Sequence, residues 1–92
     1  NFQSNSQTVG RIGVARMTAK QMFEELGYRR FIGSKKIDYV YSSKEMYVYI
    51  TFTNKTYFSY LIDFNDGGIY IPEFSMSALK AIYKQCEELE WI

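Results

Sequence analysis

The stretch "MYVYITFTNKTYFSYLIDF", residues 46–64, decides how this chain folds, because it reads as two alternating segments joined by a short turn. Four tyrosines and three phenylalanines fall in it, together with β-branched residues that favour strands. Alternation with a period of two is typical of strands that bury one face. It predicts a hairpin of two strands, Met46–Thr53 and Tyr57–Phe64.

The length of the turn in this hairpin decides which side chains share a face. A two-residue turn, 54–55, would place Phe52 opposite Tyr57. A three-residue loop, 54–56, would instead place Phe52 opposite Phe58. A slip of one residue turns every side chain of a strand to its other face. The longer loop gathers the large apolar side chains on one face, where each contributes about 1.5 to 3 kcal/mol by burial, and we therefore predict it.

Further segments of the same type flank the hairpin. They are Tyr28–Ile32, Ile37–Ser42 and a short Ile69–Ile71. The connections "GSKK", "SKE" and "NDGG" are too short for parallel crossovers, so the sequence predicts an antiparallel meander of four to five strands in chain order. A tight turn at "SKE" would set Tyr39 opposite Val48.

A helix is predicted at each end of the strand region. In "MTAKQMFEELG", Thr18 and Gln21 have the spacing of a capping box, and Gly27 is suited to end the helix. In "FSMSALKAIYKQCEELEWI", the helix begins after Ser75. The predicted buried stripe of this second helix is Leu79, Ile82, Tyr83, Cys86 and Leu89.

Helices and meander together predict an α+β two-layer sandwich, with the N- and C-terminal helices on one face of the sheet. The strand residues predicted beneath the helices are Ile37, Tyr39, Tyr41, Met46, Val48, Ile50, Phe52, Phe58, Tyr60, Ile62 and Phe64. The opposite face is predicted to expose Val40, Tyr47, Tyr49, Tyr57 and Leu61. An uncovered, tyrosine-rich cluster of this size favours a surface that binds a protein partner or a second copy. The alternative is a solvated sheet that cross-strand tyrosine pairs stabilise.

The length of 92 residues indicates a single domain. We predict that this α+β domain spans residues 17–92, with Met17 as the native start. Residues 1–16, "NFQSNSQTVGRIGVAR", show no helical or strand periodicity and are predicted to be a tag-like or disordered leader. The formal charge of +1 comes from this leader, because Arg11 and Arg16 lie in it; residues 17–92 hold nine basic and ten acidic residues.

Single-stranded nucleic acid is the alternative ligand for the same sheet. Tyrosines on an open sheet can stack bases, and a basic cluster flanks the first turn. The cluster consists of Arg29, Arg30, Lys35 and Lys36. Nonspecific binding to phosphates requires a basic surface, and residues 17–92 have no excess of positive charge. Protein binding is therefore the leading prediction.

The sequence indicates no catalytic, metal or cofactor site. Histidine is absent, and the single cysteine, Cys86, falls in a predicted buried stripe without an imidazole base. The run "DFNDGG" begins like a calcium loop, but Gly67 and Phe74 occupy positions that need oxygen ligands. We predict no enzyme activity, no small-molecule substrate and no membrane span.

The two ends of the domain resemble a known family. "MTAKQMFEELGY", residues 17–28, and "MSALKAIYKQCEELEWI", residues 76–92, look like the ends of small uncharacterised proteins encoded by phages and prophages of Gram-positive bacteria. The strand region is similar in character alone, and Glu90 stands where relatives often carry glycine before Trp91. The resemblance implies a phage origin but no activity, and the single cysteine favours a reducing compartment, the cytoplasm of the bacterial host. We therefore expect a non-enzymatic interaction or self-association module.

Overall fold

The structure is a computed structural model that describes residues 17–92. The prediction of a tag-like or disordered leader concerns residues 1–16, which lie outside this range. The helices and strands are, in order, Ala19–Glu25 (α1), Tyr28–Ile32 (β1), Ile37–Ser42 (β2), Met46–Thr53 (β3), Thr56–Asp63 (β4), Ile69–Tyr70 (β5) and Met76–Glu88 (α2).

The five strands form one antiparallel sheet in the order β1-β2-β3-β4-β5, as the short connections predicted. Both helices pack on the same face of this sheet, which confirms the two-layer α+β sandwich. One hydrophobic core joins the layers: its buried members are Phe23, Tyr39, Ile50, Phe52, Ala81 and Ile82. The layers are held together by rings, since Phe23 of α1 stacks on Tyr39 of β2 at a centroid distance of 3.8 Å.

Local chemistry sets the ends of α1. The Gln21 backbone N–H donates to Thr18 Oγ1 at 3.1 Å, and the Thr18 N–H donates to Gln21 Oε1 at 2.9 Å, so the predicted capping box is present. After the helix, Gly27 takes a φ of +94°. A Cβ at this position would also lie 3.2 Å from the Tyr41 ring. Glycine is therefore needed here for both backbone conformation and space.

The buried stripe of α2 differs from the predicted one. Ser75 caps the helix as expected, but the buried side chains are Ala78, Ala81, Ile82 and Gln85. Leu79 and Tyr83 are 49% and 57% exposed, so their predicted burial was wrong. Two small alanines allow the helix to approach its neighbours closely, and buried Gln85 accepts a 2.5 Å hydrogen bond from the Tyr39 hydroxyl. This bond satisfies a polar group that a purely apolar pattern assigns to water.

The end of α2 is a Schellman motif. The Trp91 N–H donates to the Cys86 carbonyl at 3.0 Å, and the Glu90 N–H donates to the Glu87 carbonyl at 2.9 Å. Glu90 takes a φ of +59° in this motif. The left-handed conformation usually falls to glycine, so Glu90 carries a strained backbone.

The predicted register of the β3–β4 hairpin was wrong. Thr53 pairs with Thr56 and Phe52 pairs with Tyr57, so the strands are joined by the two-residue turn Asn54-Lys55. Both turn residues have positive φ, 52° and 59°, as a type I′ turn requires. Such a turn matches the twist of the flanking strands, and β4 buries none of its side chains, so the burial that favoured the longer loop does not exist.

The facing of β2 and β3 was predicted correctly, although their register is shifted. Tyr39 pairs with Ile50 and Tyr41 with Val48, two residues away from the expected pairing. The connection is longer than a tight turn, because the Ser43 hydroxyl accepts hydrogen bonds from the backbone N–H groups of Glu45 and Met46. A shift of two residues preserves the face, so Val48, Ile50 and Phe52 of β3 still lie beneath the helices.

Candidate functional site

The most distinctive surface of the domain is the side of the sheet that faces away from the helices, here called the open face. Neighbours across an antiparallel ladder project to the same side, so the register defines its members. They are Arg29, Phe31, Asp38, Val40, Ser42, Tyr47, Tyr49, Thr51, Thr53, Thr56, Phe58, Tyr60, Ile62, Phe64 and Ile69.

Four rings form a continuous aromatic ridge along β3 and β4. Phe64 meets Tyr47 edge-on at 4.8 Å, Tyr47 meets Tyr49 at 6.0 Å, and Tyr49 stacks on Tyr60 at 4.9 Å. Contacts of this kind contribute about 0.5 to 1.5 kcal/mol each beyond burial. The rings therefore hold one another in place, and the ridge is ordered before any partner arrives.

The open face leaves large apolar side chains in water. Phe31, Phe58 and Phe64 are 49%, 51% and 44% exposed, and Ile69 is 70% exposed. Monomeric domains rarely expose a contiguous apolar patch larger than a few hundred Å² unless the patch binds something. The exposure of these side chains therefore supports a binding role.

Polar groups in the middle of the open face are already paired. The Thr51 hydroxyl donates to Asp38 Oδ1 at 2.7 Å, and Lys36 Nζ lies 3.4 Å from Asp38 Oδ2. Thr51 itself is buried among the taller side chains around it. The carboxylate is neutralised, so the centre of the face has little net charge.

A groove of about 420 Å³ runs along β2 beside the aromatic ridge. Its floor consists of the short side chains Asp38, Val40 and Ser42, and its lining residues on the neighbouring strands are Arg29 and Phe31 on one wall and Tyr47 and Tyr49 on the other. The Arg29 guanidinium lies 5.8 Å from the centroid of the Phe31 ring. Short side chains on one strand between long ones on its neighbours create this groove, here called the β2 groove.

The structure brings together three of the five predicted partner-binding residues. Val40, Tyr47 and Tyr49 share the open face. Tyr57 and Leu61 project from β4 toward the helix side instead, where Tyr57 stacks on Phe52 at 5.9 Å. The two-residue turn is the reason, because it reverses the facing of β4 relative to the expected register.

The same reversal brings four residues of the β4 segment to the open face, and their predicted position beneath the helices was wrong. They are Phe58, Tyr60, Ile62 and Phe64. Phe31 and Ile69, on the edge strands, join them and were not predicted as site residues. The signal that could have found the four β4 residues was Asn54, since asparagine tolerates positive φ and favours two-residue hairpin turns. Lys55 obscured that signal because glycine normally occupies the second turn position.

The predicted basic cluster does not converge. Arg29 projects onto the open face, whereas Arg30 projects to the helix side beside Tyr39. Arg30 Nε is buried there without a hydrogen-bond partner among residues 17–92. Lys36 pairs with Asp38, and the Lys35 carbonyl accepts a hydrogen bond from the Thr53 hydroxyl in the turn. Of the four, Arg29 lines the β2 groove, across from the aromatic ridge.

The groups that could support other chemistry have structural partners. Cys86 packs against the core, and burial raises the pKa of its thiol, which disfavours the reactive thiolate. In the β4–β5 turn, the Tyr70 hydroxyl donates to Asp66, which lowers the pKa of Asp66 and raises that of Tyr70. Residues 17–92 contain no group of three or more acidic or cysteine side chains placed to hold a metal. No helix in this range is long and apolar enough to cross a bilayer.

Comparison with known proteins found no matching family model, curated protein or solved structure.

Proposed function

We propose that this chain is a non-enzymatic interaction module that docks a protein through the open face. The observation that carries the proposal is the aromatic ridge, which stands in solvent on a sheet face that no helix among the described residues covers. Interfaces are enriched in tyrosine and phenylalanine and depleted of charge at their centre. The open face has this composition, with its one central carboxylate neutralised by Lys36 and Thr51.

Charge and ring geometry favour a protein over single-stranded nucleic acid. Residues 17–92 hold nine basic and ten acidic side chains, so phosphates meet no general attraction. Bases stack on free ring faces, but Tyr49 and Tyr60 already stack on each other at an interplanar angle of 14°. Arg29 supplies a cation beside the ridge, which keeps nucleic acid as the second candidate.

A non-enzymatic role is supported by the absence of convergent reactive groups on this surface. General acid–base catalysis needs titratable side chains directed into one pocket. In the β2 groove the titratable side chains are Arg29, Asp38 and two tyrosines, and Asp38 is held by its two partners. The groove is therefore shaped to accept side chains, without a base that is free to act on them.

The resemblance of residues 17–28 and 76–92 to small phage and prophage proteins supports a phage origin. With that origin, the module would act in the cytoplasm of a Gram-positive host. Its partner would then be a protein of the phage or of the host cell.

Site-specific photo-crosslinking in host cells tests the docking surface. p-Benzoylphenylalanine at position 47 lies on the aromatic ridge, and at position 83 it lies on the outer face of α2. We expect discrete protein adducts from position 47 and none from position 83. Tyr83 is the more exposed of the two residues, at 57% against 38%, so general accessibility predicts the opposite result. Equal adducts from both positions, or none from position 47, would contradict the proposal.

Fluorescence anisotropy with labelled poly-dT and poly-rU tests the second candidate. At about 50 mM salt, where phosphate contacts are strong, we expect no saturable binding. Binding that weakens steeply with salt, and that Arg29→Ala abolishes, would replace protein docking with nucleic-acid binding as the function.

A further inference from the structure

We propose that the partner on the open face is a second copy of this chain. The two open faces would pack about a two-fold axis that runs parallel to the strands, giving a β-sandwich with the helices on its two outer sides. This inference rests on the docking function proposed above and names the occupant of the same surface.

The area of the open face is sufficient for a weak dimer. Five strands spaced about 4.8 Å apart, with a rise of about 3.4 Å per residue, make a face of about 20 by 25 Å. Such a face offers about 500 Å² per copy, and a pair would bury about 1,000 Å². This total meets the minimum of about 1,000 Å² for a biological interface and fits a weak dimer.

The shape of the open face is self-complementary. A two-fold interface requires that a surface contain both a feature and its complement, because each contact occurs twice. The aromatic ridge lies on β3 and β4, and the β2 groove lies beside it in the same direction. A two-fold axis between them places the ridge of each copy in the groove of the other. Two sheets that pack at about 10 Å leave room for rings to interdigitate in this way.

Charge favours this axis over one perpendicular to the strands. A perpendicular axis would stack β1 on its own copy and bring the two Arg29 side chains together, which is unfavourable. The parallel axis instead places β1 over the partner's β4 and β5, so the two Arg29 side chains lie apart.

Pairing through the β1 edge is a poorer route to a dimer. This edge strand has Arg29 and Arg30 at its centre. Charged residues on an edge strand oppose pairing with an identical strand. The face therefore offers more apolar contact and less like-charge repulsion than the β1 edge.

Sedimentation velocity from about 1 µM to 1 mM tests the inference, because a weak dimer becomes visible in this range. We expect reversible dimerisation of the wild-type chain. Tyr60→Ser, which removes a ridge residue that does not line the groove, and Val40→Arg, which fills the groove, should each raise the dissociation constant by about tenfold or more. Tyr83→Ser, on the outer face of α2, should leave it unchanged. Far-UV circular dichroism and urea unfolding confirm that each variant is folded, and Phe64→Ser replaces Tyr60→Ser if that variant is not.

Mixing the ridge variant with the groove variant tests the ridge-in-groove arrangement most directly. A heterodimer of Tyr60→Ser with Val40→Arg keeps one intact contact of ridge with groove, whereas each variant homodimer keeps none. We therefore expect the mixture to associate more tightly than either variant alone. A mixture that is no tighter than both variants would overturn the ridge-in-groove arrangement.

The second-copy inference and the docking function can fail separately. A wild-type chain that stays monomeric at 1 mM, together with adducts to another protein from position 47, overturns the second copy and leaves docking intact. A dimer that both face variants leave unchanged, with no adduct from position 47, overturns both. A dimer weakened by both face variants and unaffected by Tyr83→Ser supports both.

Discussion

Strands β3 and β4 are neighbours with the same alternating pattern, yet they have different surroundings. In β3, Val48, Ile50 and Phe52 are buried beneath the helices. In β4, no residue is buried, and Phe58 is 51% exposed. The helices reach the sheet through Phe23, Ala81 and Ile82, which meet β2 and β3. The alternating pattern of a strand therefore sets which side chains share a face, and the packing of the helices sets which face is buried.

The largest effect should come from truncating matched phenylalanines on the two strands. Phe52→Ala removes a buried ring from the core and should lower the free energy of unfolding by about 3 to 5 kcal/mol. Phe58→Ala removes a half-exposed ring from the open face and should cost less than about 1 kcal/mol in the monomer. Urea unfolding at low protein concentration measures both. Equal costs would mean that β4 is as covered as β3.

Tyr39, which is buried in the core, should make the free energy of unfolding depend on pH in the alkaline range. Burial raises the pKa of Tyr39 to about 12 from an ordinary value of 10.0, with the Arg30 charge opposing the rise and the Glu88 charge adding to it. The unfolded chain ionises first as the pH rises above 10, so the stabilisation is complete below pH 10 and is lost as the pH approaches 12. We expect a loss of about 2 to 3 kcal/mol in the free energy of unfolding across this window.

Urea unfolding of Tyr39→Phe identifies the residue responsible. This variant should start less stable by about 1 to 3 kcal/mol, because Gln85 loses its buried partner. It should then show a smaller alkaline decline than the wild type. Tyr49→Phe, on the open face, is the matched control and should keep the full decline. If Tyr39→Phe declines as steeply as Tyr49→Phe, another group is responsible.

The turn between the two strands offers a smaller, stabilising change. Lys55 has a φ of 59°, a conformation that glycine adopts without strain. Lys55→Gly should raise the free energy of unfolding by about 1 kcal/mol, as measured by urea unfolding. Lys55→Ala removes the same charge but keeps a Cβ, so it should change stability little. A lower stability for Lys55→Gly would contradict the two-residue turn, and with it the facing of β4.

The smallest expected effect is at the end of the helix that covers β3. Glu90 has a φ of 59° in the Schellman motif of α2. Glu90→Gly should raise the melting temperature, through a gain of about 0.5 to 1 kcal/mol in the free energy of unfolding. Glu87→Gly, within the helix, should lower it by a similar amount. Loss of stability in both variants would show that residue 90 does not adopt the left-handed conformation.

The sequence correctly predicted the order of the helices and strands and the position of some of the candidate site residues. The bounds of β1, β2 and β3 and the caps at Thr18 and Ser75 were correct, because alternation and capping chemistry act over a few residues. Three site residues, Val40, Tyr47 and Tyr49, were placed correctly for the same reason. The predictions that depended on contacts between distant segments were less successful.

Tyr57, Leu61, Leu79 and Tyr83 show why those predictions failed. Hydrophobicity assigned Leu79 and Tyr83 to the core, but the close approach of α2 through Ala78 and Ala81 left them outside. Tyr57 and Leu61 were assigned to the open face from a burial energy that β4 never realises. The facing of Tyr57 and Leu61 depends on the two-residue turn, and the burial of Leu79 and Tyr83 depends on how closely α2 packs against its neighbours, which no short stretch of sequence specifies.

The positions of the strands and helices, their antiparallel order and the alternation of side chains within each strand follow from local sequence. They depend on backbone geometry, turn lengths and capping, all of which involve residues near one another in the chain. The packing of distant segments sets which side of β4 faces solvent and which side of α2 is buried. Those outcomes depend on the turn at Lys55, whose strain is offset only once the two layers have packed together, and on the small Ala78 and Ala81 side chains of α2, which allow close packing.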